Sequence, residues 1–289
     1  MENTVLIDLI YLAASVLFIL GIRGLTHPRT AVRGNLLGAT GMLLAIAATL
    51  ADNQVFGSGT FGLGVILAGI VLGSAIGATF ALKIQMTAMP EMVALLNAFG
   101  GGASALVAGA VLVGTTSTTQ ALIATAASGI IGSVTFTGSL VAFDKLRGLL
   151  LPDAPVTFPG QQPLNLFLGF VALGCAVWMV IDPSTTNSYI AIVAIGSVLG
   201  VLLTISIGGA DMPVAIALLN SYSGLAAAST GFVISNNILI ITGSLVGASG
   251  IILTRIMCKA MNRSLVNVLV GAIAATNSTK TDADSIYEG

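Results

Sequence analysis

Two asparagines set deep in apolar stretches are the residues through which this chain is read. The first closes Met89-Pro90-Glu91-Met92-Val93-Ala94-Leu95-Leu96-Asn97, and the second closes Met212-Pro213-Val214-Ala215-Ile216-Ala217-Leu218-Leu219-Asn220. Small residues follow each copy, Gly100 to Ser104 in the first and Ser223 to Ser229 in the second, apart from Leu225. Proline fits the first turn of a helix, where its missing N–H costs nothing. Seven residues further on, about 10 Å along a helix axis, an amide lies where an unpaired polar group is expensive. An asparagine cannot titrate, but it can orient water or hold a proton-bearing partner through hydrogen bonds. Asp211, two residues before Pro213, can titrate. It reads either as an N-terminal cap or as a carboxylate at the mouth of a polar path. Glu91, in the first turn after Pro90, has the helix dipole as its simplest explanation. The asparagines have helix glue as theirs.

The elements that carry these residues follow from composition. Of 289 residues, 56% are hydrophobic and 7% are charged, with a mean hydropathy of +1.03. A soluble domain carries roughly 25% charged residues, so this chain cannot cover a core with a charged surface. An all-α, polytopic transmembrane helix bundle is expected. A spanning helix needs about 20 mainly apolar residues. Nine such spans are read, at 4–22, 35–51, 60–82, 90–113, 121–143, 164–181, 189–207, 213–234 and 238–257. Residues 1–270 then form a transmembrane domain, and 271–289 form a polar linker or tail. The first apolar run lacks a basic segment before it, so it is read as a retained helix rather than a signal peptide.

An odd number of spans puts the termini on opposite sides. With the N-terminus outside and the C-terminus cytoplasmic, all ten basic residues fall inside: Arg23, Arg29, Arg33, Lys83, Lys145, Arg147, Arg255, Lys259, Arg263 and Lys280. This is the pattern of the positive-inside rule. It also makes spans four and eight parallel, with Asn97 and Asn220 at similar depth. The prolines of the two copies lie 123 residues apart (90 and 213), and likeness outside the motif is thin.

Gly69, Gly73 and Gly77 repeat at four-residue spacing in span three, and Gly196 and Gly200 do so in span seven. Such steps let helices approach closely, either within the chain or at a dimer seam. Span five carries Ser128, Ser133, Thr135, Thr137 and Ser139 and is expected to face other helices. Cys175 and Cys258 read as small core residues rather than a disulfide. No metal-ligand cluster, phosphate-binding loop or nucleic-acid patch is apparent, so no metal or cofactor site is expected in the chain.

Three segments together resemble one family. They are Met86-Thr87-Ala88-Met89-Pro90 with Val93 to Asn97, Asp211-Met212-Pro213 with Leu218 to Gly224, and Ile256-Met257-Cys258-Lys259-Ala260-Met261-Asn262-Arg263-Ser264. The resemblance is to the beta subunit of the proton-translocating nicotinamide nucleotide transhydrogenase, and it covers essentially the whole chain. It implies a multi-pass protein of the bacterial inner membrane. In such an enzyme, hydride transfer between NAD(H) and NADP(H) is coupled to proton movement. The implied partners are an NAD(H)-binding alpha subunit, an NADP(H)-binding domain following the membrane part, and a second alpha–beta unit forming a dimer.

The resemblance marks Asp211 and Asn220 as functional positions. Many members have histidine where this chain has Asn97; members with asparagine there carry an intramembrane histidine on an alpha subunit. The expected proton path therefore uses Asn97, Asn220, Asp211, Glu91 and Ser139, with the titrating group supplied by such a partner. The chain is expected to act as the membrane part of the enzyme and to hold no hydride-transfer site itself. The alternatives are a free-standing secondary transporter with a site between spans four and eight, and a structural scaffold subunit.

Overall fold

The computed structural model describes residues 2–51, 59–114, 118–182 and 186–270. Every regular element among them is helical. The long helices are α1 (Glu2–Leu25), α2 (Pro28–Leu50), α3 (Gly59–Lys83), α4 (Met89–Gly114), α5 (Thr119–Arg147), α6 (Gln161–Ile181), α7 (Thr186–Ile205), α8 (Met212–Val233) and α9 (Asn237–Ala260), followed by a short α10 (Leu265–Val270). Among the described residues, nine helices are long and apolar enough to cross a bilayer. The polar loop after Ala51 and the proposed tail at 271–289 lie outside the described residues.

Helix ends are set by local chemistry. Thr118 and Asn236 cap α5 and α9, accepting the N–H groups of Ala121 and Leu239. His27 caps α2 through Nδ1, which accepts from the Arg29 N–H. The α2 helix thus begins at Pro28, seven residues before the span expected from hydropathy at Asn35. Hydropathy scoring stops at Arg29 and Arg33. Their side chains can extend toward water from the first helical turns, so the helix continues where the apolar run does not. Gly148 ends α5 in the left-handed conformation at φ 61°, with its N–H returned to the Asp144 carbonyl.

The bundle is organised around α5, which packs on α4, α7 and α8 and, less extensively, on α6. Helices α1 and α2 form a hairpin that joins the rest through α9. All described basic residues lie toward one end of the bundle, called here the basic end: the ends of α1, α3, α5 and α9 and the start of α2.

Bulky apolar side chains gather in two separate clusters. One lies at the basic end and includes Ile207, Met212, Val214, Ile216 and Leu219. The other lies toward the opposite end, around Met179, Tyr189, Ile192 and Val233. Between them the helices meet through small residues. A Cβ on Gly101 would stand 2.8 Å from the Gly132 carbonyl oxygen, and one on Gly132 would stand 2.6 Å from that of Gly101. Such gaps admit only glycine, and they bring α4 and α5 into backbone contact.

The α8–α9 pair repeats this arrangement. A Cβ on Gly224 would meet the Gly243 carbonyl oxygen at 2.8 Å, and one on Gly243 would meet that of Gly224 at 2.7 Å. Gly101 and Gly224 are 123 residues apart, the offset of the two asparagine motifs. The entry turns also match. A 3₁₀ turn precedes each helix, Met86–Ala88 before α4 and Gly209–Asp211 before α8. Extended residues Gln85 (φ −79°, ψ 153°) and Gly208 (φ −75°, ψ 156°) lead into them at the same offset. The repeat in sequence is therefore a repeat of two-helix units.

Candidate functional site

Asn97 lies on the buried face of α4 with Ala94, Ala98 and Gly101. Its Nδ2 donates to Ser139 Oγ on α5 at 2.9 Å. Its Oδ1 is buried and has no hydrogen-bond partner among the described residues. Ser139 itself is fully buried. An amide oxygen enclosed without a donor costs about 1–3 kcal/mol, so this oxygen is an open valence in the bundle interior, as are Asn165 Oδ1 and Asp211 Oδ1 among the described residues.

Asn220 is half-buried on α8, and its side chain makes no hydrogen bond among the described residues. One turn beyond the two asparagines, α4 and α8 touch: a Cβ on Gly100 would lie 3.0 Å from Ser223 Oγ. Further along the same direction, Thr230 Oγ1 reaches the Ser104 carbonyl at 3.4 Å. The two helices therefore run parallel, and Asn97 and Asn220 sit at matching heights on neighbouring rods.

A buried hydroxyl group lies on the side away from the basic end. Ser128 Oγ and Thr230 Oγ1 share a hydrogen bond of 2.7 Å, and Ser128 Oγ also reaches the Ser104 carbonyl at 3.1 Å. This joins α4, α5 and α8 at one height. The sequence places Ser128 among the polar residues of span five, but serine and threonine recur along much of that helix, and nothing in their spacing singles out Ser128 or its contact with Thr230.

At the basic end two ion pairs flank the helix starts. Glu91 Oε2 lies 3.0 Å from Arg147 Nε, joining the first turn of α4 to the last turn of α5. Asp211 Oδ1 lies 3.6 Å from Arg263 Nε. The latter distance is an ion pair without a hydrogen bond, and this buried carboxylate oxygen accepts none among the described residues. The reading of Asp211 as an ordinary cap is corrected here. Its backbone is helical (φ −94°, ψ −2°), and its side chain caps no N–H. The 3₁₀ turn has moved the start of the hydrogen-bonded helix back, so the carboxylate is turned toward Arg263 in the connection between α9 and α10.

The family described as NAD(P) transhydrogenase beta subunit matches residues 7–288. The chain belongs to the NAD(P) transhydrogenase beta-subunit family. It is 44% identical over 274 residues to the NAD(P) transhydrogenase subunit beta of Rhodospirillum rubrum, covering 92% of this chain and 58% of that protein. The same figures hold for the subunit beta of Rhodospirillum rubrum strain ATCC 11170. The chain thus spans 58% of the length of these curated relatives.

Within this transhydrogenase beta bundle, the expected residues divide into groups. Asn97 and Ser139 are in direct contact, while Glu91 and Asp211 lie at the basic end with separate arginine partners. The glycines divide too. A Cβ on Gly196 would collide with Ser133, and one on Gly200 would collide with Thr137 and Val134, so α7 lies close on α5. By contrast Gly69, Gly73 and Gly77 have no heavy atom of another described element within 4 Å of a Cβ position, and no residue of α3 is buried. The same spacing therefore serves contact within the chain on α7 and faces outward on α3.

Proposed function

We propose that this chain is the membrane domain of a proton-translocating NAD(P) transhydrogenase, coupling proton movement to hydride transfer between NAD(H) and NADP(H) bound to other domains of the complex. Membership of the beta-subunit family supports the activity. The observation that carries the local reading is Asn97: a buried amide held by Ser139 on one side and open on the other.

In this reading the Asn97 oxygen accepts from a water or from a protonated group of an alpha subunit, such as an intramembrane histidine. Asn220, at the same height, orients the next member of the chain. Asp211 and Glu91 lie toward the basic end, which faces the cytoplasm of a bacterial cell with the N-terminus outside. Asp211 governs the mouth of the path, with Arg263 beside it. Residues 1–270 make up the membrane domain, and 271–289 lead toward an NADP(H)-binding domain. Two alpha–beta units make the working enzyme.

Coupling requires that protonation favour one of two states of the nucleotide-binding part. The chain's own contribution is to position the proton and to transmit its arrival.

The test is proton-coupled transhydrogenation in membrane vesicles holding the assembled complex, with Asn97→Ala, Asn220→Ala and Asp211→Ala compared with the native protein. Loss of proton translocation in assembled complexes is expected. Native proton translocation in all three would reduce these residues to helix contacts and a turn.

A further inference from the structure

Lys145 looks in sequence like one more basic residue at a helix end, yet its side chain is fully buried. A buried ammonium requires partners for its three donors. Lys145 Nζ has three: the carbonyl oxygens of Ile205 at 2.7 Å, Ile207 at 2.8 Å and Ala154 at 3.1 Å. Among the described residues no carboxylate lies within ion-pair distance of it. Ile205 is the last residue of α7 and Ile207 lies just beyond it. The ammonium therefore sits where the free carbonyls and the negative end of a helix dipole favour a cation. Ala154 belongs to the connection between α5 and α6.

These contacts continue to Asp211. The Asp153 carbonyl, next to Ala154, accepts the Gly209 N–H at 2.8 Å, and the Val156 N–H donates to Ile205 at 3.1 Å. Gly209 is the first residue of the 3₁₀ turn that ends at Asp211. Along α5, Ser139 stands six residues before Lys145, about 9 Å along the axis. A single helix thus holds Asn97 through Ser139 and, through Lys145, the connection from which the Asp211 turn hangs.

We propose that Lys145 is a positioning residue that latches the 206–211 segment to α5 and so fixes the Asp211 carboxylate relative to the Asn97–Ser139 pair. The role in proton coupling rests on the function proposed above; the latch itself does not. Lys145→Met removes the donors at similar length. Gly209→Pro removes the N–H bonded to Asp153 and sets the ring Cδ against that carbonyl oxygen, so it forces this contact open while leaving Lys145 in place.

The experiment uses the whole complex in vesicles, with Cys175 and Cys258 replaced by alanine and a reporter at Ser206→Cys. Ser206 is buried beside the latch. Maleimide labelling at position 206 is expected to rise at least tenfold in both latch variants. Hydride transfer should stay within twofold of native, while protons translocated per hydride fall at least fivefold. Labelling that stays slow in both variants overturns the latch. Fast labelling with native proton translocation overturns its positioning role. If Lys145→Met does not assemble, Gly209→Pro decides by the same readouts. Asn97→Ala and Asp211→Asn run in parallel: native pumping in both overturns the proton-path reading, while labelling still decides the latch.

Discussion

The Asn97 amide spends its nitrogen on Ser139, at 2.9 Å across α4 and α5, and leaves its oxygen free of any partner among the described residues. The two ends of this amide should respond differently to substitution. Ser139→Ala leaves the buried Asn97 N–H group without its acceptor, at a cost of about 1–3 kcal/mol. Asn97→Ala removes that group and a buried oxygen without a partner, so its effect on stability should be smaller, within about 1 kcal/mol. Proton translocation should nevertheless fall at least tenfold in Asn97→Ala. Thermal unfolding in detergent, set beside vesicle proton uptake, checks both statements.

The pair of Asp211 and Arg263 is long and half exposed on the arginine side. Its contribution to stability should be small, about 0.2–1 kcal/mol, and should shrink further at high salt. A double-mutant cycle with Asp211→Asn and Arg263→Gln measures it. The expected result is weak coupling in unfolding but marked loss of proton translocation in each single variant.

Glu91 and Arg147 make the shorter contact, at 3.0 Å between the first turn of α4 and the last turn of α5. Glu91→Gln should lose both this pair and the helix-dipole contribution, together roughly 0.5–1.5 kcal/mol. If Glu91 serves only these two roles, proton translocation per assembled complex stays near native in Glu91→Gln. A tenfold loss would place it on the path.

Glycines in packed and in open settings should behave in opposite ways. Gly101→Ala and Gly224→Ala drive a methyl group into backbone atoms, where only whole-helix displacement can relieve the clash. A loss of about 1–3 kcal/mol is expected, with reduced yield of folded protein. Gly73→Ala meets nothing within the chain, and alanine is the better helix former by about 1 kcal/mol. It should stabilise the isolated chain. If Gly73→Ala weakens the alpha–beta complex while leaving the isolated chain intact, α3 is a seat for a partner helix. Unfolding of the chain alone, compared with complex yield on size-exclusion chromatography, separates the two.

What the sequence reveals and what it hides follow from the kind of signal each feature leaves. Nine spans are legible because hydropathy in hydrocarbon tolerates few exceptions. The Asn97 and Asn220 motifs are legible because a polar residue there is costly. The start of α2 is not, since Arg29 and Arg33 mask a helix that their own long side chains permit. Lys145 is hidden for a related reason. Beside Asp144 and Arg147 it has the look of a solvated helix end, and its burial depends on the approach of Ile205 and Ile207, some 60 residues away in the chain. The Asp211–Arg263 pair likewise joins two connections whose meeting depends on how α8 and α9 pack. The matched glycines at 101 and 224 were present at the motif's own offset, but glycine is so frequent here that their register becomes visible only beside Gly132 and Gly243.

The glycine contacts in the middle of the bundle also limit how it can rearrange. Where side chains interlock, a core can switch by exchanging rotamers. Gly101 against Gly132 and Gly224 against Gly243 offer no rotamers to exchange. Each helix must therefore travel as a stiff rod, by tilt or by sliding along its axis. Sliding by one four-residue step, about 6 Å, would bring Ala105 or Ala228 into gaps that admit only glycine. Tilt is therefore the motion left to these helices, and a stiff rod that tilts at the cytoplasm-facing end proposed here also shifts the asparagine it carries.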